Sequence, residues 1–260
     1  MDDVELEVTP EEETAVAVKP LWFKALAELV GTCLLVFFGV LSALQFSGDP
    51  TVNDLWGKLI AVSLAFGLIV MVLVYTIGGV SGAHLNPAAS MAMAIDGRLK
   101  WKEYGFYVLA QVIGAFLGAL LVWAFLGQNA GNIVSTTFNQ DMIQASSWAA
   151  DGVLAIILEV FGTAVFLYAV LAVTADPKNG AIAGVVIALA LWLSIAVLFN
   201  LTGGSLNPAR SLGTALVALF NDETEPIKEI WVYIIGPMAG SVLAAYTYRF
   251  FNKSRYALAA

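Results

Sequence analysis

The chain of 260 residues is 60% hydrophobic and only 12% charged, a composition that excludes an ordinary soluble domain and places it in a bilayer. Its net charge of −8 owes most to Asp2, Asp3, Glu5, Glu7, Glu11, Glu12 and Glu13, and no basic patch suited to nucleic acid is present. Cys33 is the one cysteine and His84 the one histidine, so there is no disulfide framework and no second ligand at metal-binding spacing; neither a cofactor nor a metal is expected.

Residues 1–20 lack a basic segment ahead of an apolar core, so they read as a disordered acidic tail and not as a signal peptide. Six apolar stretches follow, near Trp22–Phe46, Lys58–Gly78, Trp101–Leu126, Gly152–Thr174, Gly180–Asn200 and Ile230–Phe251. Each is long enough to cross a bilayer, and a helix is the economical answer because lipid cannot satisfy backbone polar groups. Residues 21–252 are thus the membrane domain, with a first repeat at about 21–126 and a second at about 152–252, and 253–260 is a short tail. If the spans alternate, Lys19, Lys24, Arg98, Lys100, Lys102, Lys178, Arg249, Lys253 and Arg255 share one side, against Lys58 and Lys228 on the other. That bias puts both termini in the cytoplasm.

Between spans two and three lies Ser81-Gly82-Ala83-His84-Leu85-Asn86-Pro87-Ala88-Ala89-Ser90; between spans five and six lies Thr202-Gly203-Gly204-Ser205-Leu206-Asn207-Pro208-Ala209-Arg210-Ser211. Asn is a favoured helix N-cap and Pro a favoured first helical residue. The apolar stretches that follow, Ala88–Ile95 and Ala209–Phe220, are too short to span. Each phrase therefore reads as a loop that enters the membrane and starts a half-helix there. The duplication extends further. Glu28-x-x-Gly31-Thr32 in span one matches Glu159-x-x-Gly162-Thr163 in span four, and Gln111-x-x-Gly114-Ala115 in span three matches Pro237-x-x-Gly240-Ser241 in span six. Three spans per half is odd, so the second half lies upside down relative to the first and the half-helices meet from opposite faces. Gly67, Gly114, Gly118, Gly162, Gly184 and Gly240 suit close helix packing.

These paired phrases, the Glu-x-x-Gly-Thr repeat and the span pattern resemble the aquaporin, or major intrinsic protein, family over residues about 21–252. The resemblance implies an all-α membrane protein with six transmembrane helices and two re-entrant half-helices in an inverted repeat, assembled as a homotetramer with one pore per protomer. It implies a passive channel in the cell membrane for water, with small neutral solutes such as glycerol, and exclusion of protons and ions. Asn86 and Asn207 would then face each other mid-pore, each at the positive end of its half-helix beside Pro87-Ala88 or Pro208-Ala209. The carbonyls of Gly82, Ala83, His84, Gly203, Gly204 and Ser205 would line the remainder as acceptors. Arg210, an expensive charge within the membrane, would repel cations at the narrowest point.

Glu28 and Glu159 are either proton carriers of an ion-coupled transporter or acceptors that hold the re-entrant loops; their symmetric placement favours the second. His84 is either a pH sensor or a pore-loop residue held by hydrogen bonds, and the latter is preferred. The family's outer constriction falls on Phe66, Ile195, Gly204 and Arg210, which matches neither the strict water channels nor the glycerol facilitators, and is nearest to archaeal and plant nodulin-type members. Gly204 is expected to leave a gap that a Phe ring would refill. Ser211 and Ala215 follow the water-channel pattern, whereas Tyr233-Ile234 departs from it. Rival readings are a polyol facilitator of the same fold and an ion-coupled secondary transporter. No constellation of nucleophile, base and orienting group argues for an enzyme.

Overall fold

An apolar run longer than about 20 residues can satisfy its backbone in lipid by closing every hydrogen bond within one helix. The computed structural model of the chain, which describes residues 19–47, 55–127, 135–253 and 256, has six such helices. They are α1 (Leu21–Ser47), α2 (Leu55–Ser81), α4 (Trp101–Leu126), α6 (Trp148–Val173), α7 (Gly180–Thr202) and α10 (Ile230–Phe251), and by length and composition each can cross a membrane. The protein is a multi-pass membrane protein. The described residues also form four shorter α-helices: α3 (Pro87–Asp96), α5 (Gln140–Ile143), α8 (Pro208–Ala218) and α9 (Glu225–Lys228). The expected spans hold to within a few residues at their ends. The acidic tail expected at 1–20 lies outside the described residues up to position 18, as does most of the tail expected at 253–260.

Two kinds of pairing make the bundle. Within each half, the first and third spans pack together, α1 on α4 and α6 on α10. Between halves, α2 packs on α7, and each half-helix lies against the other half's third span, α3 on α10 and α8 on α4. Glycine makes the approach possible at matching places. A Cβ on Gly114 would collide with the Leu29 carbonyl of α1, and one on Gly240 would lie 2.6 Å from the Val160 carbonyl of α6. The other glycines singled out above, Gly67, Gly118, Gly162 and Gly184, are equally tight. Lipid offers no hydrophobic drive between helices, so close van der Waals contact of this kind is what holds them.

One end of the bundle carries a group of basic side chains with their partners. Lys24 pairs with Glu103 at 3.2 Å, tying α1 to α4. Arg98, just past α3, reaches Asp96 at 2.6 Å, the Thr174 hydroxyl at 2.8 Å and the Leu171 carbonyl at 3.0 Å. Arg249 donates to the Ile95 carbonyl at 3.0 Å, and the Tyr256 hydroxyl donates to Asp96. Burial, followed by that carboxylate, pushes the Tyr256 hydroxyl up to about 12, so it stays a donor at neutral pH. These residues come from both halves, and they seal the end at which α3 stops.

Candidate functional site

Asn86 and Asn207 cap the two half-helices from extended backbone. Asn86 Oδ1 accepts the Ala88 N–H at 2.8 Å; Asn207 Oδ1 accepts those of Ala209 at 3.1 Å and Arg210 at 3.2 Å. That turns the oxygen of each amide toward its own helix and leaves its two N–H donors. One of these crosses to the opposite loop, from Asn86 to the Leu206 carbonyl at 2.7 Å and from Asn207 to the Leu85 carbonyl at 2.9 Å. The second donor of each amide remains available at the meeting point of the two helix N-termini. Pro87, Ala88, Pro208 and Ala209 are buried in the first turns behind the amides.

The loops ahead of the asparagines have matching backbones. Gly82, Ala83 and Leu85 have φ of 93°, 49° and 55°; Gly203, Gly204 and Leu206 have 73°, 54° and 55°. Left-handed alanine and leucine store strain of about 1–3 kcal/mol each, so something must hold them. The holders are Glu28 and Glu159, both with no exposed surface. Glu28 accepts from the Ser81 hydroxyl at 2.6 Å and the N–H groups of His84 and Leu85 at 2.9 and 2.6 Å. Glu159 accepts from the Thr202 hydroxyl at 2.6 Å and the N–H groups of Ser205 and Leu206 at 3.0 and 2.8 Å. With these N–H groups turned outward to the carboxylates, the carbonyls of Gly82, Ala83, His84, Gly203 and Gly204 accept no hydrogen bond among the described residues. His84 is fixed by Ser90 at 3.1 Å, the arrangement a held loop residue requires.

A cavity of ≈ 80 Å³ runs along these loops, from Thr174 past His84, Asn86 and Asn207 to Phe66, Ile195 and Arg210. Its opposite wall is apolar, with Val70, Val74, Ile187 and Leu191. A second chamber of ≈ 350 Å³ lies beyond, and Phe66, Ile195 and Arg210 line both. These three side chains are therefore the partition between a narrow passage and a wider second chamber. The Arg210 guanidinium lies 4.8 Å from the centre of the Phe66 ring, and its Nη1 has no hydrogen-bond partner among the described residues. Gly204 departs from expectation. It lines neither cavity, and a Cβ there would sit 2.9 Å from the Ile195 Cα, so the residue leaves no gap but lets two backbones touch. Cys33 is set apart, its backbone packed under Gly114 and Gly118 of α4.

Three participants escaped the sequence reading. Tyr107 and Tyr233, each four residues ahead of the matched Gln111 and Pro237, donate to the carbonyls of Ser81 at 2.7 Å and Thr202 at 3.0 Å. Tyr233, noted above only as part of a departure from the water-channel pattern, is the counterpart of Tyr107 in the second half. The third is the segment 135–139. In the first half Gln111 donates to Glu28 at 2.8 Å and to Ser90 at 2.9 Å. Pro237 cannot do so in the second half, and there Thr136 bonds Ser211 instead.

A family model described as Major intrinsic protein matches residues 15–248. Among curated relatives, the chain is 38% identical over 230 residues to the glycerol uptake facilitator protein-like 6 of Lactiplantibacillus plantarum, covering 87% of this chain and 96% of that one. It is 36% identical to aquaporin Z of Rhodopseudomonas palustris over 227 residues, covering 87% and 92%. Among solved structures, the aquaglyceroporin of Plasmodium falciparum superposes with a TM-score of 0.75 at 24% identity, over 88% of this chain and 96% of the other, which shows a shared fold.

Proposed function

Because the chain belongs to the major intrinsic protein family, whose matched model spans most of its length, we propose that it is a passive channel for water that also admits small neutral solutes such as glycerol and excludes protons and ions. The observation that carries this reading is the pair of crossed amides beside a partition built on an arginine. Each asparagine keeps one N–H for a passing oxygen, and two helix N-termini point their positive ends at it. A water held there turns its hydrogens away from both donors, toward the carbonyl rows on either side. It cannot pass a proton along the file, and the same field opposes cations. The carbonyl rows of the two loops and the apolar wall opposite them suit molecules that are polar along one edge.

Arg210, Phe66 and Ile195 act as the filter in this reading, Glu28 and Glu159 as supports of the loops, and no residue acts as a catalyst. The charge distribution supports cytoplasmic termini in a cell membrane, with Lys24, Arg98 and Arg249 at the inner end. The outward apolar faces fit a lipid bilayer, and a homotetramer is the assembly we assign. Ile195 gives the partition a methyl-bearing wall where a donor would favour water alone, which argues for passage of glycerol beside water. Water and glycerol permeability measured by stopped flow on the same proteoliposomes tests the proposal. Both should exceed empty vesicles, without saturation and without response to a proton gradient. Flux that saturates and follows the gradient would instead mark a coupled transporter.

A further inference from the structure

The wall of the second chamber that faces Arg210 comes from the segment after α4: Ser135, Thr136, Thr137 and Asn139 line that chamber. Three tethers hold this strap. The Thr136 hydroxyl bonds Ser211, the Asn139 N–H donates to the Leu201 carbonyl at 2.8 Å, and the Phe138 N–H donates to the Glu229 carboxylate at 2.9 Å. The first two end on the second loop and its flanks. The third ends on a side chain that no sequence motif marks.

Glu229 occupies the place in the second half that Glu103 holds in the first, four residues ahead of the matched tyrosine. The two differ in chemistry. Glu103 is partly exposed and ion-paired with Lys24. Glu229 is 2% exposed and, among the described residues, has no cation at ion-pair distance. It bonds Phe138 and Trp148, members of a row of tilted rings, Phe138–Trp148–Trp231, at centroid spacings of 5.9 and 6.1 Å. Even with the Phe138 N–H and the Trp148 side chain as its partners, a buried carboxylate costs stability, and a neutral residue would pack there more cheaply.

We propose that Glu229 is a positioning residue for the second chamber: by holding Phe138 it sets how closely the 135–139 wall approaches Arg210, and with it the solute size admitted. The proposal rests on the channel reading above. The charged and titratable groups that act on Glu229 among the described residues are Glu225, paired with Lys228 on α9, and Tyr233 on α10.

Burial pushes the Glu229 carboxyl up to about 7, Glu225 adds to the rise, and the bonds from Phe138 and Trp148 oppose it. Freed from the strap and hydrated, the same group would titrate near ~4.3. The docked strap therefore binds the proton more tightly than the released one. Protonation favours docking, the gain is complete below the lower value, and it fades as pH rises to about 7, above which nothing further changes. Acid tightens the wall.

The test is the ratio of glycerol to water permeability in proteoliposomes at equal inner and outer pH, from 5 to 8. The docking equilibrium moves by up to ~10-fold per pH unit within the window, so the wild-type ratio should fall by about threefold or more between pH 7.5 and 5. Glu229→Gln keeps an acceptor without the charge and should hold the acid value at every pH; Glu229→Ala releases the strap and should hold a high value. If the alanine variant fails to fold, wild type and Glu229→Gln decide between them. A flat wild-type ratio, or a glutamine variant that titrates as wild type does, overturns the proposal while leaving the channel intact. Vesicles that pass neither solute above the lipid background would remove the channel reading, and this proposal with it.

Discussion

Asn86 and Asn207 hold each other's loops: each donates a side-chain N–H to the carbonyl just before the other, at 2.7 Å to Leu206 and 2.9 Å to Leu85. Neither amide is therefore free to turn, and the two halves are latched at the point where solute would pass. Each asparagine serves its own helix and the opposite loop, and in the proposed channel it keeps one N–H for the passing molecule.

Replacing either asparagine by alanine removes a helix cap, costing about 0.5–2 kcal/mol. It also strands a buried carbonyl, which adds about 1 kcal/mol or more. Asn86→Ala and Asn207→Ala should each lower the thermal midpoint in detergent by several degrees. They should lower water permeability as well. Two variants as stable as wild type would show that the latch carries no weight.

The partition offers a second test. Phe66→Ala takes away the ring under the Arg210 guanidinium, an interaction of about 0.5–2 kcal/mol. It opens the passage at the same time. Glycerol flux should rise by about tenfold, equivalent to ~1.4 kcal/mol of barrier, with a smaller rise for water. Unchanged glycerol flux would place the selective step elsewhere.

Ile195 can be tested in the opposite direction. A histidine there would set a donor beside Arg210 where a hydrocarbon wall now stands, so Ile195→His should cut glycerol flux by about tenfold and spare water. Gly204 is a poor place for such an experiment. Its φ of 54° and its contact with the Ile195 backbone make Gly204→Ala or Gly204→Phe a strained variant that moves α7.

Glu28 and Glu159 distinguish a support from a proton carrier. Glutamine keeps one acceptor oxygen but turns an NH₂ toward N–H groups already directed at the carboxylate, as with Ser205 and Leu206 at Glu159. Glu159→Gln and Glu28→Gln should each cost about 3 kcal/mol or more by thermal or denaturant unfolding, and lower water flux in proportion to the loss of folded protein. A variant that stays fully stable yet abolishes a proton-coupled flux would assign these carboxylates to transport.

Much of this arrangement was legible in the chain because its chemistry is punctuated. Asn-Pro starts each half-helix, a lone Glu marks each first span, and Arg210 stands out in an apolar setting. What stayed hidden depends on tertiary neighbours. The strap at 135–139 has no periodicity, and its part follows from Pro237 standing where Gln111 stands in the first half, which leaves Ser211 to be met by Thr136. The Tyr107–Tyr233 match was present in the spacing, yet only the two carbonyl bonds give it meaning. Gly204 misled because a missing side chain reads as space, whereas here it is filled by backbone.

The most direct measurement pairs water permeability with proton flux in one preparation of proteoliposomes, using a trapped pH-sensitive dye for the protons. Water should cross far faster than through empty vesicles while proton flux stays at the level of the lipid alone. Protons crossing in step with water would contradict the dipole reversal assigned to Asn86 and Asn207.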